Sequence, residues 1–199
     1  MALEKLDTKI RREQIVEAAL SLIAAQGLRR LSVAALARRV GLVPSGLYRH
    51  FRSKQEILDA ALQLVQRRGL DNLKEVCATT PNALERLKFL LLRAIKMIRE
   101  LQAMPRIVFS EGMSADHPER KRQAYVILRG FLGAIEGIMQ EGQERGEVRK
   151  DLDAKSLAVM FWGMLPPVVV LWHMSDGKFD VTRHAERSWE LFSDAIRAR

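Results

Sequence analysis

The sequence predicts an all-α protein of about nine helices, and three observations carry that expectation. Apolar residues recur three and four apart almost throughout the chain. No stretch alternates apolar and polar residues for long enough to make a half-buried strand. Gly, Pro and Ser/Thr punctuate the periodic segments where helices would start and stop. With 199 residues, 48% of them hydrophobic and 29% charged, the chain can bury a sizeable core, and a disordered or collagen-like chain is excluded.

A first helix is predicted over Thr8–Gln26, with Ile15, Ala18, Ala19, Leu22 and Ile23 on one face and Gly27 as its C-terminal cap. Ser32 can cap a short second helix in which Val33, Leu36, Ala37 and Val40 share a face. Gly41 then supplies a turn. Pro44 sits in the first turn of a third helix reaching about Phe51, where its missing N–H costs nothing, and Leu47 and Phe51 point inward. Two short helices joined by a Gly-bearing turn and set on a longer one form a helix-turn-helix. With Leu47 and Phe51 inward, Pro44, Ser45, Tyr48 and Arg49 point outward, and such a surface suits a major groove: guanidinium pairs with guanine, and hydroxyl and imidazole groups hold phosphates.

Charge supports the same reading. Residues 1–54 hold eleven Lys/Arg and four Asp/Glu, so +7 of the chain's formal +9 lies in the first quarter. That concentration suits a module that neutralises phosphates and releases their counterions. Residues 1–54 are therefore read as a DNA-binding domain and 55–199 as a second helical domain for ligand binding and dimerisation.

In the second domain, Ser53 and Glu56 form an S-x-x-E capping box at the head of a helix running to about Ala78. Thr79-Thr80-Pro81 breaks it, and a long helix follows from Asn82 to Gln102, then a shorter one from Pro105 to about Gly112. A helix opening at Pro118 carries Tyr125, Leu128, Leu132, Ile135 and Met139 as a stripe, with Gly130, Gly133 and Gly137 beside it. Three interior glycines suit a surface that another helix approaches closely, either a self-complementary dimer face or a neighbour in the same chain. Helices over Asp153–Met174 and Val181–Ala198 complete the chain. The last bears Ala185, Trp189, Phe192 and Ile196, and could pair with the glycine-bearing helix across a two-fold axis, placing Trp189, Phe192 and Ile196 at the interface.

The run from Leu31 to Ile57 resembles the TetR family of bacterial transcriptional regulators, through the capped second helix, the Gly41 turn, the Leu47-Tyr48-x-His50-Phe51 block and Ser53-Lys54. The resemblance implies that Tyr48, His50 and Lys54 touch DNA phosphates, with Ser32 near the backbone, and that Val43, Pro44, Ser45, Gly46 and Arg49 lie nearest the base edges. Val43 departs from the Ser or Thr that many members place there. The resemblance further implies a homodimer on a palindromic double-stranded operator, a repressor more often than an activator, released by a small molecule. A sequence-tolerant DNA-binding protein with a purely structural dimerisation module is the alternative.

For an apolar effector, Phe89, Met97, Phe109, Met113, Met160, Phe161, Met164 and Trp172 are candidate pocket residues, because Met and aromatic groups adapt to varied ligands. The four histidines show no paired ligand spacing and Cys77 is a single cysteine, so no metal or other cofactor is expected. Without a G-x-S-x-G elbow, a P-loop or a Rossmann glycine pattern, the chain does not read as an enzyme. The longest apolar run, Gly163–Trp172, is shorter than the roughly 20 residues of a membrane span, which points to a cytoplasmic protein without membrane attachment.

Overall fold

The computed structural model describes residues 8–27, 30–100 and 118–198. They form helices α1 (Thr8–Gln26), α2 (Val33–Arg39), α3 (Pro44–Tyr48), α4 (Lys54–Thr79), α5 (Ala83–Glu100), α6 (Pro118–Glu144), α7 (Ala154–Gly163), α8 (Leu165–Met174) and α9 (Val181–Ile196). Among the described residues there is no strand, only an isolated antiparallel bridge between Val148 and Arg197. The expected short helix from Pro105 lies outside them.

The described residues divide into two compact units, one of residues up to 67 with 118–121 and one of residues 68–100 with 122–198. In the first unit α2 packs on both α1 and α3. The buried face of α1 is Ile15, Val16, Ala19, Leu20 and Ile23. Ala18 and Leu22, expected on that face, are only half-buried: the face is rotated so that the larger Val16 and Leu20 fill the core. α3 ends at Tyr48, and its continuation to Phe51 is a tight turn in which the His50 and Phe51 amides donate to Leu47 O at 2.9 and 3.1 Å.

In the second unit α5 and α9 pack together, and α8 packs on both of them and on α7. Leu87, Leu90 and Leu91 of α5, Ile135 and Met139 of α6, Phe161 of α7, Val168 of α8 and Ile196 of α9 are buried in one cluster. Burying each such side chain contributes about 1.5–3 kcal/mol. The apolar stretch Ala154–Met174 has the length and hydropathy of a membrane span. It is not one straight helix as the sequence reading has it. Pro166 and Pro167 cannot donate to the preceding turn, and the chain breaks at Met164, whose amide donates to Phe161 O at 3.2 Å. On both sides of the break, Leu157, Ala158, Phe161, Leu165, Val168 and Val169 are buried.

The chain's end is stitched to the α6–α7 turn. The Arg149 amide donates to Ile196 O at 2.8 Å and the Ala198 amide to Glu147 O at 3.2 Å. The Gln143 side-chain amide donates to Arg149 O and Leu152 O at 2.9 and 2.7 Å. Asp153 and Asp180 cap α7 and α9 by accepting from the Ser156 and Arg183 amides.

Gly142, near the end of α6, is where close approach demands glycine: a Cβ there would lie 2.7 Å from both Ala83 Cβ and Val148 Cγ2. Gly130, Gly133 and Gly137 have no neighbour within 4 Å of such a Cβ, so no close approach among the described residues explains them. Gly142→Ala should lower stability by about 1–3 kcal/mol through overpacking. Gly133→Ala should be neutral, or should stabilise by up to about 1 kcal/mol through helix propensity. Urea unfolding of both variants checks this pair, and equal effects would remove the distinction between the two positions.

Candidate nucleic-acid interface

Ser32 begins the site. Its backbone is extended, and its Oγ accepts from the Ala35 amide at 3.1 Å, so α2 starts at a fixed point on the surface. α2 closes through the Val40 amide on Leu36 O at 3.1 Å, and the Leu42 amide donates to Ala37 O at 2.8 Å across Gly41, whose φ of +70° is the left-handed geometry glycine tolerates. Val43 then stands at the N-cap of α3 with φ −82° and ψ 154° and gives no side-chain hydrogen bond, while Pro44 occupies the first turn.

Leu47 and Phe51 are buried. Their burial turns Val43, Pro44, Ser45, Tyr48 and Arg49 outward, with Ser32 also exposed and Gly46, His50 and Lys54 half-buried. The exposed face of α3 therefore presents an isopropyl group, a pyrrolidine, a hydroxyl, a phenol and a guanidinium. Arg38 and Arg39 on α2 and Arg52 after α3 are also exposed. Nδ1 of His50 is buried without a hydrogen-bond partner among the described residues.

Sequence reading missed the residue that fastens this face to the rest of the unit. Arg12 of α1 lies with its guanidinium 4.0 Å from the centre of the Phe51 ring, donates to His50 O, and donates to Glu56 Oε1 at 3.0 Å. Glu56 Oε2 accepts from the Arg52 amide at 2.7 Å, and Ser53 Oγ accepts from the Glu56 amide at 3.1 Å. The capping box is thus present, with the carboxylate reaching one residue beyond the cap. The Arg52 amide first, and Arg12 second, hold the Glu56 carboxyl below its ordinary range. A lowered carboxylate supports the fold above its unfolded value and loses that support as pH falls through the folded one, so this junction is intact at neutral pH.

The expected pocket residues do not share one environment. Phe161 is core, 6.0 Å ring to ring from Phe192. Met97, Met164 and Trp172 are half-buried, Phe89 is exposed, and Met160 is 61% exposed. Phe109 and Met113 lie outside the described residues. Phe131 and Trp162, which the sequence reading did not single out, meet edge to face at 5.4 Å, and a Cβ on Gly69 would lie 3.6 Å from Phe131.

Of the expected dimer residues, Tyr125, Gly130 and Gly133 are exposed and Leu128, Leu132 and Gly137 half-buried. Trp189, Phe192 and Ile196 require correction. They are buried inside the unit, with Trp189 and Phe192 rings 6.3 Å apart, because their stripe packs on the protomer's own core. The exposed apolar residue of α9 is Leu191, at 77%. Along α7 and α8, Val159, Met160, Val170, Leu171 and Met174 are exposed as well.

Comparison with known proteins agrees with this arrangement. Residues 15–61 match the family described as bacterial regulatory proteins, tetR family, and residues 66–195 match the C-terminal region of YsiA-like proteins. The fatty acid metabolism regulator protein of Bacillus subtilis is 25% identical over 183 residues, covering 92% of this chain and 94% of that one. The structure of the fatty acid degradation regulator FadR from Bacillus halodurans superposes with a TM-score of 0.81 at 25% identity, covering 95% of this chain and 97% of the other. That of FadR from Bacillus subtilis in complex with stearoyl-CoA gives 0.79 at 24%, covering 93% and 99%, and shares the fold. The matched N-terminal motif, the C-terminal match over most of the remaining chain and the exposed α3 face together make this chain a member of the TetR family of ligand-responsive bacterial transcriptional regulators.

Proposed function

We propose that this protein is a cytoplasmic, homodimeric repressor that holds a palindromic operator with α3 of each protomer and releases it when an effector carrying a long acyl chain binds in the C-terminal part. The observation that carries the DNA-binding half is the α3 face: buried Leu47 and Phe51 leave Val43, Pro44, Ser45, Tyr48 and Arg49 outward in the quarter of the chain with a +7 balance. In this reading Ser32, Tyr48, His50 and Lys54 hold phosphates. Arg49 reads guanine, and the Val43 methyls, with Pro44, Ser45 and Gly46 beside them, lie against a thymine methyl. Residues 1–54 form the DNA-binding domain and 55–199 the effector and dimer domain.

The test is selection of bound fragments from sheared genomic DNA at near-physiological salt. One or a few palindromic sites support the operator reading, whereas broad recovery that vanishes as salt rises favours a sequence-tolerant binder. On a selected site, Tyr48→Phe should weaken all sequences alike and leave the consensus unchanged. Arg49→Ala should cost about 1–3 kcal/mol and relax preference at one base pair per half-site. A consensus altered by the Tyr48 variant would exchange these roles.

For the dimer, the support is the exposed apolar side chains Val159 and Met160 of α7, Val170, Leu171 and Met174 of α8 and Leu191 of α9. A lone protomer leaves these side chains in water, and pairing with a second copy through α8 and α9 would bury those that meet it. Met174→Glu combined with Leu191→Glu should shift the protein to monomer in sedimentation while helix content stays unchanged. A variant as dimeric as wild type would place the interface elsewhere, the Tyr125–Gly133 face being the next to test.

The acyl effector is supported by the curated fatty acid metabolism relative and by the half-buried apolar groups Leu73, Phe131, Trp162 and Met164 against the second-unit core. A ligand releases DNA only if it prefers the conformation that does not hold DNA. Stearoyl-CoA should raise the melting temperature of the free protein, quench tryptophan fluorescence and dissociate the operator complex. Trp162→Phe should reduce the quenching. Absence of all three effects would remove the acyl class and leave DNA binding untouched.

A further inference from the structure

The geometry points to Arg12 as a positioning residue for operator binding, one that sets His50 and the head of α4 without touching DNA itself. The inference rests on the proposed phosphate contact of His50.

Five residues, Arg49–Ser53, connect α3 to α4, and two of the proposed phosphate contacts, His50 and Lys54, lie within this segment and just after it. Such contacts require placement to within about 0.5 Å, and beyond the bonds of the His50 and Phe51 amides to Leu47 O the connector takes that placement from contacts outside itself. Here the anchors are explicit. The His50 amide is held by Leu47 O at 2.9 Å, and the His50 carbonyl accepts from Arg12. Phe51 is buried on the core and covered by the Arg12 guanidinium at 4.0 Å. The Arg52 amide is held by Glu56, whose other oxygen is held by Arg12 at 3.0 Å. Among the described residues, the Arg12–Glu56 pair thus supplies polar anchors at His50 O and the Arg52 amide, beside the Leu47 bonds, the Ser53 cap and the Ile57 amide on Ser53 O at 3.4 Å.

The chemistry requires arginine rather than any cation. One guanidinium nitrogen serves a carbonyl and another serves a carboxylate, while the planar face covers an aromatic ring. Lysine offers a single ammonium and cannot do all three. The pairing also neutralises a carboxylate that would otherwise stand beside the proposed phosphate contacts. Because the Arg12 charge is already engaged by Glu56, it should add nothing to the count of counterions that DNA binding releases.

The experiment measures affinity for the selected operator by fluorescence anisotropy between 50 and 200 mM salt for wild type, Arg12→Lys, His50→Gln and the double variant. Helix content is checked at the assay temperature. Arg12→Lys should bind about tenfold more weakly, the loss expected when charge-assisted hydrogen bonds are removed, with unchanged salt slope and consensus. In the His50→Gln background the same substitution should cost less than about twofold, since its partner's contact is already gone. A salt slope reduced by about one would make Arg12 a phosphate contact and overturn the inference. An equal cost in both backgrounds would overturn it as independent of His50. Wild-type affinity with only a lowered melting temperature would reduce Arg12 to a stabilising role. His50→Gln binding as wild type would instead overturn the His50 contact, and with it this inference, through a result the Arg12 variant alone cannot produce.

Discussion

A five-residue helix cannot hold its own shape in water, because the cost of nucleating a first turn exceeds what so few hydrogen bonds return. Everything the N-terminal unit presents depends on fixing α3 from outside. Leu47 and Phe51 are driven into a core supplied by α1 and α2, and the turn after α3 is tied by Arg12. The front of the helix has no such help, since Val43 contributes no cap and Pro44 only presets the backbone. The reading surface is thus anchored by its buried side and its rear, and its leading residues are left available for a partner.

The second unit solves a different problem. Its helices run from 10 residues in α7 and α8 to 27 in α6 and draw their stability from packing, so what they need is a shared interior. That interior is made by α5, α8 and α9, with contributions from α6 and α7, and is closed by backbone bonds from the α6–α7 turn to the end of α9. Gly142 lets the α6 end and the α5 start come together at a distance where a methyl would collide. Among the ion pairs here, Arg93–Glu75 is largely exposed and so contributes at most about 1 kcal/mol, whereas Arg86–Glu141, at 2.7 Å, holds an Arg86 side chain only 11% exposed.

The features legible in the sequence were those encoded locally. The Ser32 cap, the Gly41 turn, the inward Leu47–Phe51 pair and the Ser53–Glu56 box each involve residues within four positions of one another, and each is present. Contacts that cross the chain were not legible. Arg12 looks like any basic residue on an exposed helix face until folding brings Phe51 to it from 39 positions away. Trp189, Phe192 and Ile196 were readable as a buried stripe, but periodicity does not say whether the neighbour is the same chain or its copy. Met160 carries the flexible thioether that suggested a pocket, yet it lies on the same helix as buried Phe161 and faces outward.

The double-proline break between α7 and α8 bears on how the protein survives unfolding. It divides a stretch of membrane-like hydropathy into two pieces, and the buried side chains of both lie in one core cluster with residues of α5 and α9. When the second unit opens, the buried side chains of this stretch, Leu157, Ala158, Phe161, Leu165, Val168 and Val169, join those already exposed, in a segment whose one formal charge is Lys155. Apolar surface exposed in this way makes opened chains prone to associate. Where such association outruns refolding, a protein's working lifetime follows how often the unit opens, a rate, rather than the equilibrium balance between folded and unfolded chains.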